Sequence, residues 1–237
     1  MTYCLGIKID QATIMISDSR TSAGVDNIST YSKMWRYGVP GERQFVLCSA
    51  GNLATTQSVI AKLERDVKNG ASPSLLTVSD MHELAEYIGK VSVAVQAKAG
   101  GGGVFEATFL LAGEIQGSAN ALYMIYSQGN FIKSSSHVPY LQIGEAKYGK
   151  PILDRVIQES TSVDQAIVCG LISMDATLKS NLTVGPPIEL YVLENGSLKL
   201  GQYRLFGEDD EYMRSLRNLW NTAMENAVDA MPSLVLN

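Results

Sequence analysis

Apolar residues in this chain change their spacing in blocks, and the order of those blocks limits the fold more than any other feature. Residues 3–9 and 13–17 are short apolar runs split by Asp10-Gln11, which reads as an opening β-hairpin. Residues 18–32 are rich in Ser, Thr, Asp and Asn and predict a long loop after a strand end. Residues 33–37 and 43–49 flank Gly38-Val39-Pro40-Gly41 as a second hairpin. The period then turns helical. Leu53, Ile60, Leu63 and Val67 share one face, with Asn69-Gly70 as the stop. Met81, Leu84, Ile88, Val91 and Val95 define a second helix, with Asp80 and Glu83 at capping-box spacing and a flexible turn at residues 100–103 after it. Strands return at 105–112 and 122–126, and Gln128-Gly129-Asn130 turns the chain into 131–133. Pro151 is expected in the first turn of a third helix, ahead of Ile152, Val156 and Ile157. Val163, Ile167, Leu171 and Met174 give a fourth, with Ser162 and Gln165 as its capping box. A last hairpin, 188–193 and 197–203, surrounds Glu194-Asn195-Gly196. The acidic stretch 208–211 suits the start of a C-terminal helix carrying Tyr212, Leu216, Leu219, Ala223 and Ala227.

Hairpins between strands imply antiparallel sheets. Helices arriving in pairs, and not one per strand, argue against a parallel βαβ sheet. The pattern predicts an α+β fold. Two packed antiparallel sheets carry a helix layer on each outer face, a four-layer αββα sandwich. No linker, composition shift or repeat divides residues 1–237, so one domain is expected.

Composition excludes several partners. The net charge of -5, with no cluster of Lys and Arg, argues against nucleic acid. No apolar run approaches the ~20 residues of a membrane span. Lys8 and Asp10 interrupt any secretory leader. Cys4, Cys48 and Cys169 are scattered, odd in number and form no CxxC pair, and read as buried residues in a reducing compartment. A cytoplasmic location follows, in which the sequons at Asn27 and Asn181 carry no glycan.

Common catalytic sets are missing. His82, expected mid-helix and solvated, and His137, in a Ser-rich loop, have no nucleophile motif beside them. No metal-ligand spacing appears, and the glycines at 100–103 lack the Lys-Ser/Thr of a phosphate loop, so neither metal nor cofactor is expected.

What remains is the N-terminus. Once Met1 is removed, Thr2 carries a hydroxyl and an α-amine whose ordinary pKa, ~7.7–8.0, lies near the operating pH of a general base. The amine can activate the hydroxyl of its own residue. Threonine in second position is otherwise commonplace. Asp18-Ser19-Arg20 ends the second predicted strand and Lys33 opens the third, so adjacency in one sheet would bring both near the start of the first strand. Lys33 would then favour the ionised hydroxyl, with Asp18 orienting it. Equally, Asp18 and Arg20 read as a loop salt bridge and Lys33 as a snorkelling strand residue. Residues 48–52 run from a strand into a helix, where Gly51 offers an N–H suited to an oxyanion, or simply permits a tight turn.

Thr2, Asp18-Ser19-Arg20, Lys33 and Ser49-Ala50-Gly51, in this order, resemble the proteasome β-subunit family. The likeness extends over most of the chain, through Ala54-Thr55-Thr56-Gln57, the hairpin at 126–131 and Ile143-Gly144. More closely, two longer strings resemble the bacterial Anbu, or ancestral β-subunit, proteins. These are 49–57 and 140–145 with 148–154. The resemblance implies an N-terminal-nucleophile (Ntn) hydrolase fold and a threonine-type peptidase. Its nucleophile is Thr2, supported by Asp18, Lys33 and the Gly51 N–H. It implies a peptide or unfolded-protein substrate and a homo-oligomer, ring or spiral, that encloses the sites; the sequence names no unfoldase partner. Alternatives are a non-catalytic assembly subunit and an amidase for a small molecule. The family's α-type subunits carry a helical extension that this sequence lacks before Thr2. Two features depart from the family. Its I-G-S-G segment reads Ile143-Gly144-Glu145, and its amine-positioning Asp and Ser have Ser180 and Thr183, or Asn181, as nearest equivalents. No propeptide precedes Thr2, so methionine aminopeptidase would have to expose it.

Overall fold

The computed structural model describes residues 1–22 and 28–234. Its strands are β1 (Tyr3–Lys8), β2 (Ala12–Asp18), β3 (Arg20–Ser22), β4 (Ile28–Thr30), β5 (Met34–Val39), β6 (Arg43–Gly51), β7 (Ala107–Ile115), β8 (Ala121–Ile125), β9 (Phe131–Lys133), β10 (Tyr140–Gly144), β11 (Ile188–Glu194) and β12 (Gln202–Phe206). The helices are α1 (Leu53–Lys68), α2 (Met81–Lys98), α3 (Ala146–Val156), α4 (Val163–Ser180) and α5 (Glu211–Asp229).

Two five-stranded antiparallel sheets form the centre, ordered β10-β1-β2-β11-β12 and β5-β6-β7-β8-β9. Helices α1 and α2 cover the second sheet, α3 and α4 the first, which is the expected αββα layering. Strand period assigns the layers. On β6, Phe45 and Leu47 pack under α1 and α2, while Val46 and Cys48 face the other sheet. On β1, Tyr3, Leu5 and Ile7 pack under α3 and α4, and Cys4 faces across. Strands buried on both faces therefore read as unbroken apolar runs. Each large side chain so buried contributes about 1.5–3 kcal/mol. All three cysteines are buried and unpaired. Among the described residues no helix is long and apolar enough to cross a membrane.

The structure corrects several local expectations. The polar stretch 18–32 is not all loop, because β3 and β4 pair within it. Residues 23–27, with the sequon asparagine Asn27, lie outside the described residues. Asn181 ends α4, and its carboxamide oxygen accepts from the N–H (3.0 Å) and hydroxyl (2.6 Å) of Thr183. Pro151 lies inside α3, not in its first turn, since the helix starts at Ala146. Residues 146–150 hold few apolar side chains, so their share of the helix left no periodic signal. The last hairpin resumes at Gln202, not 197, because the buried Glu114 carboxylate captures the preceding backbone. It accepts from the N–H groups of Gly196 (2.7 Å) and Leu198 (2.9 Å). Phe105 belongs to a one-turn helix, Gly103–Phe105, ahead of β7. His82 sits in the first turn of α2, not mid-helix, with its ring 4.9 Å from that of Phe131.

Candidate active site

β1 carries Thr2 to one end of the sandwich. The strand pairs with β10 in the register Tyr3↔Gly144, and the N–H of Glu145 donates to the Thr2 carbonyl at 2.8 Å. Gly144 has φ +81, and a Cβ there would run into the Thr2 carbonyl, so glycine lets β10 close on the threonine. Tyr3 anchors the strand from the opposite face. Its hydroxyl pairs with Ser173 Oγ (2.7 Å) and accepts from Gln142 Nε2 (2.5 Å). Burial pushes the Tyr3 phenol well above its ordinary pKa, so it is a neutral hydroxyl at any working pH.

Asp18, at the end of β2, is fully buried and accepts three hydrogen bonds. Oδ1 takes the Tyr3 N–H at 3.0 Å and Lys33 Nζ at 2.7 Å, and Oδ2 takes the Gly185 N–H at 3.2 Å. Burial raises the Asp18 carboxyl above its ordinary range, and the Lys33 ammonium and the two backbone donors limit that rise. Lys33 Nζ also donates to the Arg20 carbonyl at 2.6 Å, and the residue is only 6% exposed. The lysine is therefore no snorkelling strand residue. Nor is Arg20 the partner of Asp18, for its guanidinium donates to the Leu182 carbonyl at 3.0 Å. One expectation fails in detail. Lys33 precedes β5, which lies in the sheet opposite β2, so the pair forms across the sandwich and not within one sheet.

Gly51 ends β6, and Asn52 caps α1, its side chain accepting from the Thr55 N–H. The Asn52 N–H donates to the Glu106 carbonyl at 2.9 Å, making residues 52 and 106 a hydrogen-bonded pair. Bonds alternate along an antiparallel ladder, so Gly51, opposite Ala107, turns its N–H away from β7. Ser49, two residues earlier, turns the same way and bonds the Lys33 carbonyl at 3.0 Å. β5 begins only at Met34, so no strand residue pairs with the Gly51 N–H on that side, and Gly51 lines the same cleft as Thr2. φ at Gly51 is +116, and a Cβ would meet the Glu106 carbonyl, so the position requires glycine.

These groups line one cleft of about 730 Å³, which takes in Thr2, Thr21, Lys33, Gly51, Thr108 and Glu145 among others. Asp18 stands behind Lys33, outside the lining. Of the family's altered positions, Glu145 lines the cleft, whereas Ser180, Asn181 and Thr183 do not. Their loop instead delivers the Gly185 N–H to Asp18. Among the described residues no group of His, Cys, Asp or Glu side chains is arranged to hold a metal ion. Burial pushes the Cys48 thiol, next to the cleft-lining Ser49, up, so it is no ready nucleophile.

Sequence reasoning missed three contributors. The donors on Asp18 from Tyr3 and Gly185 are backbone N–H groups and carry no residue signature. The wall at Gly103, Val104 and Glu106 is bonded to Asn52, whose Nδ2 donates to the Val104 carbonyl at 3.0 Å. The glycines at 100–103 were its only sign.

The sequence profile of the proteasome subunit family matches residues 2–193. Among solved structures, the chain is similar to Anbu (ancestral beta-subunit) from Yersinia bercovieri, at 41% identity and TM-score 0.94, covering 99% of this chain and 100% of that one. An Anbu (Gly-1) mutant from Hyphomicrobium sp. strain MC1 is 37% identical with TM-score 0.95, covering 100% of both chains. The helical assembly of the Anbu complex from Pseudomonas aeruginosa gives 39% identity and TM-score 0.94 over 98% of each. Comparison with curated protein sequences finds no significant match.

Proposed function

The chain belongs to the proteasome subunit family, and we propose that it is a threonine-type hydrolase that cuts amide bonds in peptides, with Thr2 as nucleophile. The observation that carries this reading is the meeting of Thr2, Lys33 and the outward N–H of Gly51 in one cleft, with Asp18 fixing the lysine behind it.

Removal of Met1 converts the Thr2 nitrogen from an amide into an amine. That amine, through a water molecule, takes the hydroxyl proton as Thr2 Oγ1 adds to the substrate carbonyl. Negative charge developing on the carbonyl oxygen is met by the Gly51 N–H, and the Lys33 ammonium favours the ionised threonine oxygen. The proton passes to the leaving amine as the C–N bond breaks, leaving an acyl ester on Thr2. Water then hydrolyses that ester and regenerates the hydroxyl. Asp18 stays out of the proton traffic and holds Lys33 in place.

The reading extends to a homo-oligomer that encloses the clefts. Its support is the helical assembly formed by a relative of 39% identity. A heterologous contact that closes gives a ring, and one that does not gives a spiral. A free peptide or an unfolded protein would then reach the sites from within.

Turnover of a mixed peptide library by the chain beginning at Thr2, against its Thr2→Ala variant, tests the proposal. Cleavage by the parent and none by the variant is expected. Equal products from both would exclude the nucleophile.

A further inference from the structure

Glu189, on β11, is only 4% exposed, yet no Lys or Arg among the described residues comes within ion-pair distance of it. The nearby Arg36 stacks instead on the ring of Tyr203, 3.8 Å from its centroid. A buried carboxylate without a cation is expensive and persists only where hydrogen bonds satisfy it. Three hydroxyls do so here. Ser32 Oγ donates to it, lying 2.8 Å from Oε2 and 3.0 Å from Oε1. Ser19 Oγ reaches Oε2 at 3.3 Å, and Tyr203 Oη reaches Oε1 at 3.0 Å.

The sequence positions of two of these donors give the cluster its meaning. Ser19 follows Asp18 directly, and Ser32 precedes Lys33 directly. Between them the chain leaves the sheets and returns, with β3 and β4 on the way. The excursion is pinched at its neck by the Tyr31 N–H bonding the Ser19 carbonyl at 2.9 Å. Ser32 Oγ, having given its proton to Glu189, accepts the N–H of Met34, the first residue of β5, at 3.3 Å. One carboxylate on the first sheet thus grips both ends of the excursion and the start of a strand in the second sheet. Both carboxyl oxygens of Glu189 accept from these three hydroxyls, whereas an amide would point donors at them as well.

We infer that Glu189 is a positioning residue that clasps the neck of the 19–32 excursion, and so holds Lys33 Nζ on Asp18 and the Thr21 wall of the cleft in place. It touches no reacting atom. Its consequence for turnover rests on the proposed function; the clasp itself does not.

The test compares full-length protein beginning at Thr2 with its Glu189→Gln and Glu189→Ala variants. Hydrogen–deuterium exchange is read at the Tyr31 and Ser49 amides, which bond Ser19 and Lys33. Labelling of Thr2 by a peptide epoxyketone is followed in parallel. Exchange at those two amides should quicken by about tenfold or more in the alanine variant and by less in the glutamine variant, with β7 and β8 unchanged. The maximal labelling rate should fall in the same order while the probe's half-saturating concentration stays constant. Exchange unchanged in both variants, or raised evenly through the chain, would overturn the clasp. Should the alanine variant not fold, the glutamine variant decides by the same two amides. A parent chain that never takes the probe would count against Thr2 as nucleophile, and the exchange data would still decide on Glu189.

Discussion

Asp18, at the end of β2, and Lys33, just before β5 of the opposite sheet, meet at 2.7 Å, both almost wholly shielded from water. Their ion pair ties the two halves of the sandwich together directly behind Thr2. Removing one partner of a buried pair strands the other, at a cost of about 3–5 kcal/mol. Lys33→Met is therefore expected to lower unfolding free energy by that order in urea titration. Asp18→Asn combined with Lys33→Met should cost less than the sum of the two single changes, because neither then leaves a lone charge.

Gly51 faces two obstacles to substitution, its positive φ and the Glu106 carbonyl where a Cβ would sit. Gly51→Ala must move β6 or the 103–106 wall. The expected loss is about 1–3 kcal/mol of stability. A larger fall in epoxyketone labelling should accompany it, since the displaced N–H is the proposed oxyanion donor. Thermal melting and labelling rate, measured together, separate the two effects.

Glu114 gathers backbone from the far end of the sandwich. Its carboxylate accepts from the Gly196 and Leu198 N–H groups and from Gln44 Nε2 at 3.1 Å. Glu114→Ala orphans these donors, each at about 1–3 kcal/mol where water cannot replace the lost acceptor. Urea denaturation should show the destabilisation. Labelling of Thr2, at the other end of the sheets, should keep its rate in the fraction that remains folded.

Alkaline stability depends on buried phenols. Burial raises the pKa of Tyr3, and burial aided by Glu64 and by Asp66 raises those of Tyr37 and Tyr87. A raised folded pKa means that the folded chain keeps protons that the unfolded chain releases above ~10. The stabilisation is complete below that value and drains as pH rises through it towards the folded values. Burial pushes the Cys48 and Cys169 thiols up as well, and the unfolded chain releases those protons above ~8.5. Urea midpoints should therefore be level up to about pH 8, begin to fall beyond it, and fall more steeply above ~10 as the phenols join. Tyr3→Phe should make the fall shallower.

Much of this site was legible in the sequence because its chemistry is carried by side-chain types at strand and helix ends. Thr2, Lys33 and Gly51 share the cleft, and Asp18 stands behind. Their spatial relation was less legible. Nothing local in residues 34–39 says which sheet that strand joins, since pairing with β6 is a long-range choice. The 3.6-residue period located α1, α2, α4 and α5. It missed the first half of α3, where residues 146–150 offer almost no apolar signal. The delayed start of β12 was hidden because its cause, Glu114, is more than eighty residues away in sequence. Glu189 carries no local sign of its role, because its three hydroxyl partners arrive from distant points of the sequence, Ser19 after β2, Ser32 before β5 of the opposite sheet and Tyr203 on β12.

The central claim is that Thr2, freed of Met1, is a competent nucleophile. Intact mass of the purified protein, before and after incubation with a peptide epoxyketone, tests it most directly, because the probe closes its ring only on a free threonine amine and its hydroxyl together. A chain starting at Thr2 is expected to gain one probe mass, and a Thr2→Ala chain to gain none. A chain starting at Thr2 that takes no probe, with the Lys33–Asp18 pair intact, would contradict the claim.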